Sequence, residues 1–206
     1  MTVGILGAGA FGTSLSIALS TSNKKLILWT QNHGTVKSIQ EVRENRLRLP
    51  GYILPEQIIA TNDIAEIKDC SIVLIAVPMQ QLRSLVEMHG SILKGKILVA
   101  CCKGFEVSSG LGPTAILEIA SEKTAVLTGP SFASDLASGF PTALTIASKV
   151  EGLAKYIQKE LGTEILRLYW SNDPIGAELG GALKNVIAIG CGVTIGAGYG
   201  SSSRAA

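Results

Sequence analysis

Val3-Gly4-Ile5-Leu6-Gly7-Ala8-Gly9-Ala10-Phe11-Gly12 sets a short apolar run directly against GxGxxG, and a stretch with helical spacing, Phe11 to Ser20, follows at once. A GxGxxG triplet alone says little in a chain with 23 glycines. One that closes a strand and opens a helix has the context of a dinucleotide-binding βαβ unit. In that reading Gly7 allows the tight turn, and Gly9 lets backbone N–H groups reach a pyrophosphate at the positive helix end. Gly12 lets helix and strand pack closely.

Outward from this start, runs rich in Val, Ile and Leu recur at Leu26–Trp29, Ile72–Val77, Ile97–Ala100, Ala125–Leu127 and Ala143–Ala147. They are continuous rather than alternating, which suits strands covered on both faces. Stretches with helical spacing lie between them at Val36–Glu44, Gln81–Met88, Pro113–Ala120 and Val150–Leu161. The alternation predicts an α/β fold, a Rossmann-like mainly parallel sheet with helices on both faces, with ligands at the carboxyl ends of the strands. Asn45–Pro55, with two prolines and a glycine, reads as a surface excursion. Near Asp173 the sequence SNDPIG offers a cap followed by proline, so a second, helix-rich region is expected to begin there. The division is therefore a dinucleotide domain over 1–172 and the first helix of a helical domain over 173–206, with the chain expected to be a truncated piece of a larger enzyme.

Composition narrows the classes. With 206 residues the chain can bury a full core, and 18 basic against 16 acidic residues leave +2 with no basic block. That balance argues against nucleic acid or a membrane surface as partner. Cys70, Cys101, Cys102 and Cys191 show no CxxC and no His at ligand spacing, so they read as buried thiols of a reducing compartment and no metal site is expected. No charged segment precedes the first apolar run, which points to the cytoplasm. Asn185–Ser203 carries no charge but holds five glycines and three serines. It reads as a buried helix followed by a Gly-rich turn rather than a membrane span.

Where the Leu26–Trp29 run ends, about twenty residues after the glycines, a NAD-specific unit carries Asp or Glu; here the residues are Trp29-Thr30-Gln31-Asn32. Without a carboxylate a 2′-phosphate is not repelled, and Gln31, Asn32 and Lys37 are candidate donors to one; they are equally readable as plain loop residues. Lys103, in Cys101-Cys102-Lys103-Gly104-Phe105-Glu106 after the Ile97–Ala100 strand, can reach a phosphate or carbonyl oxygen. Thr128-Gly129-Pro130-Ser131-Phe132-Ala133 also follows a strand and opens a helix, with Ser131 presenting a hydroxyl near helix N–H groups. On the helix after Asp173, Ala177, Gly180, Gly181, Lys184 and Ala188 share one face. Two adjacent helical glycines each cost about 1 kcal/mol, so that face must need the missing volume, for close packing or for a small substrate beside Lys184.

In order, GAGAFGTSLSIAL, LILWTQN, NRLRLPGYILP, IAVPMQQL, KGFE, TGPSFASDLASGFPTA and GGALKNVIAIG closely resemble the bacterial type of NAD(P)-dependent glycerol-3-phosphate dehydrogenase. The resemblance runs over essentially the whole chain, and GPSFA and GGALKN are its most specific parts. It implies NAD or NADP as cofactor and reversible reduction of dihydroxyacetone phosphate to sn-glycerol 3-phosphate for glycerophospholipid synthesis. It also implies a homodimer for the full-length protein. By position it puts Gly7, Gly9, Ala10, Phe11, Gly12, Gln31, Lys103 and Ala133 at the cofactor, and Lys103, Gly129, Ser131 and Lys184 at the substrate. Lys184 matches the family's proton-accepting lysine and Lys103 a lysine placed near both cofactor and substrate.

Ala10 departs from a common serine, and Ser201–Ser203 precede Arg204 where asparagine often stands. The family's later aspartate and Asn-Arg pair lie beyond Ala206. Two other readings stay open: a binding domain that turns nothing over, and another β-hydroxyacid-type dehydrogenase. For Lys184 to act as a base near neutrality its pKa must fall, and partial burial and the charge of Lys103 are expected to lower it. A chain stopping at Ala206 is expected to expose apolar surface around Ile187–Ile195.

Overall fold

A computed structural model describes residues 1–22 and 24–206. The chain runs β1 (Thr2–Leu6), α1 (Ala10–Ser20), β2 (Lys25–Trp29), α2 (His33–Val42), a hairpin of β3 (Glu44–Asn45) and β4 (Leu49–Ile53), then β5 (Ile58–Thr61) and β6 (Ile72–Ile75). It continues α3 (Leu82–Leu93), β7 (Ile97–Ala100), α4 (Pro113–Leu117), β8 (Thr124–Thr128), α5 (Ala133–Ala137), β9 (Thr142–Ala147), α6 (Leu153–Leu161), β10 (Leu166–Ser171), α7 (Pro174–Gly196) and α8 (Ser201–Ala205).

Eight strands form one sheet in the order β10-β9-β8-β7-β6-β1-β2-β5. The neighbours from β5 to β8 are parallel; β9 runs antiparallel to β8, and β10 parallel to β9. The mainly parallel Rossmann-like sheet is thus present. Alternate residues of each central strand feed opposite layers, which is why these strands read as unbroken apolar runs. On one side Val3, Ile5, Leu26, Leu28 and Leu74 pack with Leu15 and Leu19 of α1 and Ile157 of α6. On the other, Leu6, Ile27, Val73 and Ile75 pack with Leu82, Val86 and Leu93 of α3 and Ile116 of α4.

Three strand segments escape the search for continuous runs. Leu166-Arg167-Leu168-Tyr169-Trp170-Ser171 buries only Leu166 and Leu168, as an edge strand with one covered side does. Ile58–Thr61 and the β3–β4 hairpin lie within and just after the proline-punctuated segment read as an excursion. α2 begins earlier than its apolar spacing suggests, because the Asn32 side chain accepts from Thr35 N at 2.8 Å and caps it.

α7 starts where expected: Asp173 accepts from Gly176 N at 2.8 Å and Pro174 occupies the first turn. The expected burial of its later part is corrected by the structure. Of α7 only Pro174 and Glu178 are buried, and Val186, Ile187, Ile189, Val193 and Ile195 are exposed, because the helix meets the sheet only through its N-terminal half. By length and composition α7 is also long and apolar enough to cross a membrane.

Candidate functional site

The glycine loop between β1 and α1 does what its three glycines allow. Gly7 has φ +111°, and a Cβ there would lie 2.6 Å from the carbonyl oxygen of Ala76. A Cβ on Gly12 would sit 2.0 Å from the Gly7 carbonyl oxygen, so α1 closes on the loop only through that glycine. Gly9 is different: nothing lies within 4 Å of where its Cβ would be. It is also the N-cap of α1, with no side chain capping the first turn and no acidic residue in it among the described residues. Open space before an uncapped helix N-terminus suits a pyrophosphate, so the residues present fit a dinucleotide.

A cleft of about 990 Å³ opens there, at the carboxyl ends of β1, β2 and β6. Gly7, Gly9, Ala10, Phe11 and Gln31 all line it, whereas Gly12, Lys103 and Ala133 do not. Gly12 is buried beneath the loop as a packing residue. Ala133 opens α5, which packs on α1. Lys37 faces Glu41 across 3.8 Å on the exposed side of α2 and does not line the cleft. A residue not anticipated from sequence, Arg48, lines it instead. Its turn is tied to the glycine loop by buried Asn45, whose Nδ2 donates to Ala8 O at 2.9 Å and Thr13 Oγ1 at 2.8 Å, while its Oδ1 accepts from Arg48 N at 3.3 Å.

A second group of side chains gathers at the ends of β7 and β8. Lys103 Nζ donates to Gly129 O at 3.4 Å, and Lys184 Nζ stands 5.7 Å from the Phe132 ring centre. Both ammonium groups therefore face the 128–132 segment. Gly129 has φ +147°, and a Cβ on it would press Leu144 at 2.9 Å. Ser131 Oγ is buried without a hydrogen-bond partner among the described residues, an orphan that a bound ligand would satisfy. The glycine pair of α7 divides: a Cβ on Gly181 would meet Thr128 Oγ1 at 2.7 Å, so Gly181 serves close packing, while Gly180 faces open space. That contact sets Lys184, one turn on, beside Lys103.

The expected partial burial of Lys184 is corrected: Lys184 is exposed. The pKa of Lys103 is lowered, by burial first and by the Lys184 charge second. The stem of Lys103 lies against α7, with its Cγ 3.9 Å from where a Gly181 Cβ would be.

Two anchors hold these parts, and neither is signalled locally. Arg83 Nε and Nη2 donate to Glu106 at 2.8–3.0 Å, Ser109 also donates to Glu106, and the carboxyl is held below the usual range by Arg83 and then Ser109. This fixes the loop after Lys103 to α3. Buried Glu178 accepts from Thr114 N at 2.8 Å and Thr114 Oγ1 at 2.7 Å, fixing α7 to the start of α4. Among the described residues no cluster of three His, Cys, Asp or Glu side chains could hold a metal ion.

The sequence and the fold have counterparts among known proteins. Residues 2–154 match the family model for the NAD-dependent glycerol-3-phosphate dehydrogenase N-terminus, and residues 173–206 match that for its C-terminus. The chain is 50% identical over 208 aligned residues to a Ruegeria protein named glycerol-3-phosphate dehydrogenase [NAD(P)+], covering 100% of this chain and 65% of the relative. A Roseobacter denitrificans protein of the same name is 49% identical with the same coverage. The crystal structure of glycerol-3-phosphate dehydrogenase from Coxiella burnetii superposes with a TM-score of 0.87 at 30% identity, covering 99% of this chain and 64% of that one. The chain thus spans about 65% of the length of the curated relatives it matches. With the N-terminal model alone matching well over half of its residues, the chain belongs to the NAD-dependent glycerol-3-phosphate dehydrogenase family.

Proposed function

We propose that this chain carries the dinucleotide site and the lysine pair of a glycerol-3-phosphate dehydrogenase, interconverting dihydroxyacetone phosphate and sn-glycerol 3-phosphate with NAD(P)(H). The observation that carries the reading is the convergence of Lys103, Lys184 and the orphaned Ser131 hydroxyl on one segment, at the same carboxyl edge of the sheet as the glycine-loop cleft. Relatives named for this activity support it. When bound, the nicotinamide coenzyme supplies or takes the hydride at the central carbon of the three-carbon phosphate.

The chain's own residues do the rest. Gly9, Ala10 and Phe11 present backbone N–H groups to the pyrophosphate, and Gln31 faces the adenosine ribose. Ser131 donates to the substrate, and Gly129 leaves its backbone open to close approach. Lys184 Nζ gives a proton to the substrate oxygen in the reducing direction and takes it back in the other. Lys103 opposes negative charge developing on that oxygen. We assign residues 1–172 to the dinucleotide domain and 173–206 to the first part of a helical domain, in a cytoplasmic protein that pairs as a homodimer when full length. The gap between the two matched family segments, 154 to 173, supports that division.

The test follows NADH and NADPH oxidation by absorbance with dihydroxyacetone phosphate and with other keto compounds, in the parent and in Lys184→Ala. Turnover confined to dihydroxyacetone phosphate and lost by orders of magnitude in the variant is expected; equal turnover in both removes Lys184 from its role. A second reading, dinucleotide binding without turnover, is favoured by the exposure of Lys184 on an α7 whose far half is uncovered. Quenching or enhancement of NADH fluorescence without oxidation would establish it.

A further inference from the structure

Of the side chains lining the cleft beside the glycine loop, Arg48 is the single charged one among the described residues. No carboxylate stands at the end of β2, where Trp29 is followed by Thr30, Gln31 and Asn32, all of which line the same cleft. The acids that follow β5, Asp63 and Glu66, do not line the cleft: Asp63 accepts from Ala65 N at 2.9 Å, and Glu66 from Thr61 Oγ1 at 2.9 Å. Arg48 itself makes no ion pair among the described residues, and its backbone is held by Asn45, which grips the glycine loop and α1. Arg46 in the same turn is spent on Glu44 at 3.3 Å.

A dinucleotide in this cleft therefore meets one fixed-base, uncompensated guanidinium, from Arg48, and two neutral amides, Gln31 and Asn32, at the end of β2. A ribose 2′-hydroxyl is usually held by a carboxylate, and none lines this cleft. A 2′-phosphate is dianionic near neutrality and matches a guanidinium fork, with amide donors from Gln31 and Asn32. Asn32 Oδ1 is engaged with Thr35 N, which turns its amide nitrogen toward other partners. We propose that Arg48 is the specificity-determining residue of this cleft and that it recognises the 2′-phosphate, making the chain an NADPH-preferring binder. The inference rests on the dinucleotide reading above.

The experiment titrates the whole chain with NADPH and NADH by nicotinamide fluorescence, and with adenosine 2′,5′-bisphosphate and ADP by calorimetry, in the parent, Arg48→Leu and Arg48→Lys. Arg48 is exposed, so both variants are expected to fold, which far-ultraviolet circular dichroism checks. The parent should bind NADPH about tenfold or more tighter than NADH, and Arg48→Leu should erase that ratio by weakening NADPH and the bisphosphate while leaving NADH and ADP within about twofold. Arg48→Lys should keep part of the ratio, since charge survives and the fork does not. Equal loss for NADPH and NADH would place Arg48 on the pyrophosphate and overturn the proposal. A parent that binds both coenzymes equally would overturn it while sparing the dinucleotide reading, and a chain that binds neither would end both.

Discussion

Glu178→Ala should destabilise the chain far more than an ordinary helix substitution, because this carboxylate serves a helix distant in sequence. α4 has glycine at its N-cap and no capping side chain of its own, and Glu178 of α7 takes that place by accepting from Thr114 N and Thr114 Oγ1. Hydrogen bonds to a charged group contribute about 1.5–3 kcal/mol each, and the two share one carboxylate, so their effects do not add fully. Truncation also leaves the buried Thr114 N–H unpaired, a loss of about 1–3 kcal/mol in itself. Together these give about 3 kcal/mol, which at an m-value of about 2 kcal/mol/M moves the urea midpoint down by about 1.5 M. Gly112 supplies an internal control: a Cβ there would sit 2.1 Å from Glu178 Oε2, so Gly112→Ala should be costly in the parent and much less so in the Glu178→Ala background. Urea unfolding of the four chains of this cycle measures both quantities. A Glu178→Ala chain within about 0.5 kcal/mol of the parent, or a Gly112→Ala effect identical in both backgrounds, would refute the capping role.

The glycine loop predicts opposite phenotypes for neighbouring substitutions: Gly12→Ala should cost about 3 kcal/mol or more in thermal or urea unfolding, since its Cβ meets backbone at 2.0 Å. Gly9→Ala, with open space around it, should stay within about 1 kcal/mol yet weaken NADPH binding about tenfold, and the reverse pattern would contradict the assignment. Burial pushes the Cys102 thiol up to about 12 and raises that of Cys101 further, so iodoacetamide under native conditions should label Cys191 well before either; early mass-spectrometric labelling at Cys101 or Cys102 would count against it. Because burial and then the Lys184 charge lower the Lys103 pKa, the folded chain gives up this proton before the unfolded one does. The resulting penalty is full at pH below the folded value and fades as pH rises toward the ordinary lysine value. Titration of 13C-labelled lysine methylenes should show Lys103 below the ordinary value and moving back partway in Lys184→Met; no movement would separate the two lysines.

The parts of this molecule that could be read from sequence are those whose causes sit within a few residues of each other. Gly7, Gly9 and Gly12 act within one turn, so their spacing alone distinguishes the strained glycine, the open one and the packed one. The central strands are apolar on both faces and announce themselves, whereas β10 covers one face and does not. The anchors are another matter, since Asn45 reaches Ala8 across 37 residues, Arg83 reaches Glu106 across 23 and Glu178 reaches Thr114 across 64. No local period encodes such pairs; each looks like a surface polar residue until the fold closes. The lysine site shows the same division. Its two lysines stand after a strand and on a helix face, and both positions are visible in sequence. Which of them loses water is decided by the approach of α7 to β8, and that approach is set by the missing Cβ of Gly181 against Thr128. The close contact brings the helix over the stem of Lys103, whose proton is loosened by that burial, and leaves Lys184 at the surface, so packing, not spacing, decides which lysine is covered.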